Sequence, residues 1–379
     1  MLLRSKVLHD HKTIPGLEWL RILAIFLILL LHAKPVAPCK TSTAPIFFFY
    51  GITAFYDFVA SLGVPVFMLI SVVLLEMKLQ HNEAYFGGRL KRLLGIFVFW
   101  TAVQFVAWGM TSYLGMQNVY SPSFSSFPGI IFRGGPPLPI VGGSVFYFIS
   151  DLIVISVLHY CVRRYLLSAR GRISGIVLSF LVFAFGTWFR QVSFSDNKFP
   201  FFFGVLGLDE FSPLNFLIYC PIAVWLVGNG LNSTLGSATV DHGLRIPILL
   251  SFYFAFLSLE VYMRLKTNIP FTVYGRPSLP IGAWILVEIA FRIKKIPSFL
   301  SRMSKLVLGV FAIHKYWILG LTFLIPSIPI ESRHFFGGCD LDVARLIRLL
   351  LVCLGSFIST GLLASNGMFR PFLSTSRRR

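Results

Sequence analysis

The chain has 379 residues, of which 56% are hydrophobic and only 13% charged, with a mean hydropathy of +0.76 and a formal charge of +19. Soluble globular domains carry about a quarter charged residues, so the composition excludes that class and points to a polytopic membrane protein. The surplus of lysine and arginine is split into short tracts between apolar runs, which is how membrane proteins set their topology, and no nucleic-acid partner is expected.

Residues 1–15 form a basic N-terminal segment. No small-residue cleavage site follows, so the first apolar run is read as a retained span. That run lies in "LEWLRILAIFLILLLHAKP" (Leu17–Pro35) and carries Arg21 at one end and His32 at the other. Eleven residues are almost three helical turns, which puts both side chains on one face, about 16 Å apart along the axis. Two readings stand. Arg21 could snorkel to the inner headgroups and pair with Glu18 at i,i+3, with His32 merely interfacial. Alternatively, the pair serves a site reached from both sides of the bilayer.

Guided by the 20-residue rule, ten spans are predicted, at 16–33, 58–77, 93–114, 144–162, 173–189, 212–230, 244–263, 279–292, 305–325 and 344–364. An extra interfacial helix is possible in the aromatic stretch Ala44 to Phe58. The tract "FGGRLKRLLGIFVFW" opens the third span with Arg89, Lys91 and Arg92, residues that set topology and also suit phosphate oxygens. The Pro- and Gly-rich stretch 115–143 reads as an irregular loop. Two acids in later spans, Glu260 and Glu288, are expected to pair with Arg264 and Arg292 at i,i+4. In "SKLVLGVFAIHKYWI", His314 lies nine residues beyond Lys305, about 13 Å into the bilayer, where an imidazole calls for an internal polar cavity or a neighbouring helix to bond.

With the N-terminus inside, the cytoplasmic loops collect twenty of the counted basic residues and the opposite loops nine. Both termini are therefore expected in the cytoplasm. The expected fold is all-α and polytopic, with a transmembrane domain over 16–364 and a basic cytoplasmic tail over 365–379. The five cysteines show no zinc spacing, and no metal is expected. Cys39 and Cys339 fall in outward loops, where unpaired thiols are the preferred reading.

Four stretches, in order, resemble the acyltransferase 3 family of integral membrane O-acyltransferases, which modify surface polysaccharides. Arg21, ten intervening residues and His32 are similar to its hallmark in the first span. "SLGVPVFMLISVVLL", containing Ser71, is similar to its GVP-F-F-ISG segment. "RLKRLLGIFVFW" and "LGVFAIHKYWI" are similar to its basic third span and its late His element. The resemblance covers most of the chain. It implies transfer of an acyl group, most often acetyl, from a cytosolic acyl-CoA to a hydroxyl of an envelope polysaccharide, lipopolysaccharide or lipid-linked saccharide. The protein would then sit in the inner or plasma membrane, with acyl-CoA as substrate and no permanently bound cofactor.

In that reading Arg89, Lys91 and Arg92 hold the donor phosphates and His32 is the general base. Arg21 holds the donor or stabilises charge on the thioester oxygen, and His314, Glu18 and Ser71 support the site. The chain departs from the family pattern at Val72, where glycine is usual, at Glu18 in place of aspartate, and at Lys315 after the late histidine. The competing class is a glycan or lipid transporter in which the same polar residues line a route and no bond is made.

Overall fold

The computed structural model of the chain describes residues 14–33, 55–113, 147–196, 212–234, 242–267, 274–324, 333–335, 339–341 and 343–374. Most of the expected N-terminal segment, Cys39, most of the aromatic stretch 44–58, the loop 115–143 and residues 375–379 lie outside the described residues.

The described chain is helical throughout apart from one small ribbon. Its helices are α1 (Pro15–Ala33), α2 (Gly63–Leu79), α3 (Tyr85–Tyr113), α4 (Tyr147–Leu166), α5 (Ala169–Asp196), α6 (Tyr219–Thr234), α7 (His242–Thr267), α8 (Ser278–Arg292), the short α9 (Ser298–Ser304), α10 (Val307–Leu324), α11 (Val343–Ser365) and the short α12 (Arg370–Leu373). Between α10 and α11, strands β1 (Arg333–Phe335) and β2 (Cys339–Leu341) pair antiparallel.

Every predicted span is helical, with shifted ends. The second is preceded by a π turn (Phe55–Val59) and a 3-10 turn (Ala60–Leu62), so regular α structure starts only at Gly63. The sixth opens with a 3-10 turn (Pro213–Phe216), capped by the Ser212 hydroxyl, which accepts from the Leu214 amide. The third starts eight residues earlier than predicted, at Tyr85. That shift matters because it places Arg89 and Arg92 within a helix, three residues apart and on one face.

Among the described residues, five helical segments are long and apolar enough, by length and composition, to cross a membrane: Pro15–Ala33, Ala60–Leu79, Ala169–Gly186, Arg245–Met263 and Leu346–Ser365. Apolar all round, α2 is the most enclosed of these, as expected of a helix surrounded by others. α1 and α2 form the hub of the bundle. α1 packs on α2, α8, α9, α10 and α11, while α2 packs on α1, α3, α4, α6 and α8. By contrast, α5, α7 and α11 turn broad apolar faces outward, among them Leu178, Leu181, Phe252, Phe254, Leu354 and Leu362. Outward apolar faces of that extent suit contact with lipid.

Lipid gives helices no hydrophobic reason to associate, so small residues and polar bonds must hold them together. Gly16 brings α1 against α8 so closely that a Cβ would overlap the Ala290 carbonyl. At Gly63 a Cβ would come within 2.6 Å of Ile28 and 2.8 Å of the Ala24 carbonyl, both on α1. Val72, where a glycine was expected from the family pattern, is fully buried. The close approach of α1 and α2 therefore falls at Gly63, nine residues earlier.

Glu260 and Glu288 both find partners on another element. Glu260 accepts from the Ser278 amide (2.7 Å) and hydroxyl (2.8 Å), and Glu288 accepts from Arg245 at 3.2 Å. The expected i,i+4 pairing of Glu260 falls on Arg264, whose side chain lies outside the described residues, and the bonds that the structure gives to both acids run across helices. The reason is geometric: each acid faces the α7–α8 interface, where a bond across helices also satisfies a buried group.

Candidate functional site

α1 organises the candidate site by carrying a polar group at each end. At its N-terminal end the structure gathers cations. The electrostatic neighbours of Arg21 are Glu18, Arg89, Arg92 and Tyr85. Among the described residues Arg21 makes no hydrogen bond or ion pair, so the bridge to Glu18, one of the two readings of the sequence, is not formed. Glu18 is buried in the first turn, close to the positive end of the helix.

The α3 tract divides by helical phase. Arg89 turns inward, donates from Nη2 to the Ser71 carbonyl of α2 at 3.1 Å, and lies beside Tyr85 one turn earlier. Arg92 donates to the Ser374 carbonyl at 2.6 Å. Lys91 is exposed and does not join them. Three guanidinium groups thus share a small region with one carboxylate, an arrangement that favours an anion with several oxygens. Ser71 belongs here through its backbone, since its carbonyl, rather than its hydroxyl, holds Arg89.

The segment around α12 closes this region. Phe372 stacks on Phe99 with centroids 4.2 Å apart, its carbonyl accepts from Trp100 Nε1 at 3.3 Å, and Leu373 and Ser374 are buried. α12 packs on α3 and on α10 as well as α11, tying the helix of the arginines to the helix of His314. No sequence signal marked this strap.

At the C-terminal end of α1, His32 meets His314. Their ring centroids are 5.3 Å apart and the planes are inclined by 29°. His32 is exposed, whereas His314 is fully buried. The Nδ1 of His314 lies 2.6 Å from the Phe311 carbonyl, which can only accept, so Nδ1 carries a proton. Nε2 is then the nitrogen with a free lone pair when the ring is neutral, and among the described residues it has no partner. Phe311 also packs against Phe148, and both contact Phe67. His314 therefore sits on an aromatic floor, with the Phe311 ring 5.9 Å from its own.

Two further polar groups were missed in the sequence. Glu76 of α2 is fully buried and accepts from His159 Nε2 at 3.0 Å and from Arg163 Nε at 2.9 Å, both on α4. Buried Arg276 donates to the Ser61 hydroxyl at 3.1 Å and lies over Phe58 at 5.3 Å, with Glu260 as an electrostatic neighbour. The first group did carry a signal. A carboxylate in "VVLLEMKL" and an imidazole in "VLHYC" are as costly in a span as the residues that were singled out. Among the described residues no group of three or more His, Cys, Asp or Glu could hold a metal.

A family model described as an acyltransferase domain matches residues 14–365, nearly the whole chain. No curated protein and no solved structure matches it. The chain belongs to the acyltransferase 3 family and is an integral membrane acyltransferase.

Proposed function

We propose that this family member moves an acyl group, in the first instance acetyl, from a cytosolic acyl-CoA to a hydroxyl of an envelope polysaccharide, lipopolysaccharide or lipid-linked saccharide. The observation that carries the reading is the placement of two unlike groups at the two ends of α1, arginines around Arg21 and paired imidazoles at His32, about 16 Å away. An extended pantetheine arm spans that separation. Phosphates held by Arg21, Arg89 and Arg92 would deliver the thioester toward His32 and His314.

His32 takes the proton of the acceptor hydroxyl as its oxygen attacks the thioester carbonyl. The carbon–sulfur bond then breaks, the ester forms, and the proton goes to the departing thiolate. His314 supports the ring of His32 from beneath. The positive charge of Arg21 strengthens donor binding; at the opposite end of α1 from the imidazoles, it suits phosphate better than the thioester oxygen. In this reading the chain crosses the inner or plasma membrane ten times with both termini in the cytoplasm, so that the arginines face the donor. The transporter alternative gives way because family membership assigns acyl transfer.

The test is a mass comparison of envelope glycans from cells with and without the gene. Loss of one acyl ester per modified sugar supports the assignment and names the acyl group. Unchanged glycans refute it.

A further inference from the structure

A fully buried ionisable group lies outside the site just described. Glu76 and His159 are fully buried and Arg163 nearly so, yet all three are ionisable, and Glu76 bonds both of the others. A buried ion cluster is a weak source of stability, because well-packed apolar residues do as well; its best-attested use is to fix a register. The geometry here has that character. His159 and Arg163 are four residues apart on α4, on one face, and both donate to the same oxygen, Glu76 Oε2. A slip of α4 by one residue would turn each donor by about 100° and break both bonds.

Beyond Glu76 the chain makes a short turn and becomes α3. α4 grips that side too. Arg163 and Arg164 approach the two oxygens of Glu83 at 3.8 and 3.9 Å, and Tyr160 stacks on Phe86 with centroids 4.2 Å apart and planes 8° from parallel. Glu83 is largely exposed, so its pairs are weak alone. Taken together, one stretch of α4, from His159 to Arg164, holds the end of α2, the turn and the first helical turn of α3. Arg89 is the next inward-facing residue along α3, and its bond to the Ser71 carbonyl depends on the rotation and height of that helix.

We propose that Glu76, with His159 and Arg163, is a positioning clamp for the donor site: it sets the phase of α3 so that Arg89 and Arg92 face Arg21 and can bind the phosphates of a nucleotide-bearing acyl donor. This role rests on the donor reading given above. The three residues act through Arg89 and touch neither donor nor acceptor.

The experiment uses the full chain in lipid nanodiscs, with coenzyme A as the probe. Binding is measured by calorimetry, and amide hydrogen exchange is followed over residues 85–92. Glu76→Gln should weaken coenzyme A binding at least tenfold and speed exchange in that stretch. It should add nothing to the loss caused by Arg89→Ala, because groups acting through one another are not additive. Arg163→Lys, which keeps the charge, should fall between wild type and Glu76→Gln. If Glu76→Gln does not fold, Arg163→Lys and His159→Gln carry the same measurements.

Wild-type binding and exchange in these variants would overturn the clamp, as would a full additive loss on top of Arg89→Ala. A wild-type protein that binds no coenzyme A would instead sink the donor reading, and this role with it.

Discussion

The imidazoles of His32 and His314 stack 5.3 Å apart although they stand on helices far apart in the sequence. His314 is oriented by its own helix through the Phe311 carbonyl. It is therefore a fixed surface against which the exposed ring of His32 rests. Two residues that were separate candidates become one site.

His32→Ala should lower acyl transfer by about 10²–10⁴-fold, the usual worth of a positioned general base, while leaving membrane insertion intact. Glycan ester content by mass spectrometry is the measurement. Ester at the wild-type level would remove His32 from the chemistry. His314→Phe keeps a flat ring for packing but removes Nε2, so retention of activity would mean that His314 only supports its neighbour, and a loss as large as that of His32→Ala would make it a proton carrier.

Arg21→Ala should raise the KM for acyl-CoA with little change in kcat, the outcome that follows if the residue binds the donor in ground and transition states alike. A charge-assisted hydrogen bond is worth about 1.5–3 kcal/mol, roughly 10- to 150-fold in affinity. Lys91→Ala should change neither constant, since Lys91 is exposed and turned from the cluster. An equal loss at Lys91 would mean that charge near the surface, rather than the inward face of α3, recruits the donor.

Ending the chain after Met368 would remove the Phe372 stack on Phe99, the carbonyl held by Trp100 and the Ser374 carbonyl held by Arg92. The truncated protein should melt lower in detergent and bind coenzyme A more weakly. Ending it after Ser374 should spare both properties. Equal behaviour of the two truncations would show that the strap is dispensable.

Gly63→Leu forces a side chain into the space taken by Ile28 and the Ala24 carbonyl. Overpacking of this kind costs about 1–3 kcal/mol, and here the backbone carbonyl has little room to yield. A lower midpoint of thermal unfolding is expected. Leucine at position 88, where a Cβ meets nothing within 4 Å, is the control that should leave it unchanged.

A large part of this architecture was legible along the chain. The long apolar runs require helices, since lipid leaves backbone groups no other partner. Arg21 and His32 share a face because 3.6 residues make a turn. Other features were hidden by the locality of that reasoning. Glu260 and Glu288 offered basic neighbours only within their own helices, and the structure adds for each a bond across an interface that no single helix reveals. Lys91 looked equivalent to its neighbours until α3 was seen to begin at Tyr85 and to turn it away.

By itself, then, the sequence determined that the protein is a helical membrane bundle, which family it belongs to, and which polar residues lie in its spans. Hydropathy and helical period are local properties, carried by neighbours along the chain. Only the tertiary structure decided which of those residues meet. It joined His32 to His314, gathered Arg89 and Arg92 around Arg21, closed the arginines with the strap at Ser374, and buried Glu76 between His159 and Arg163. Each of these meetings depends on how one helix is rotated against another. That rotation is set by small residues and bonds between helices, which no single stretch of sequence contains.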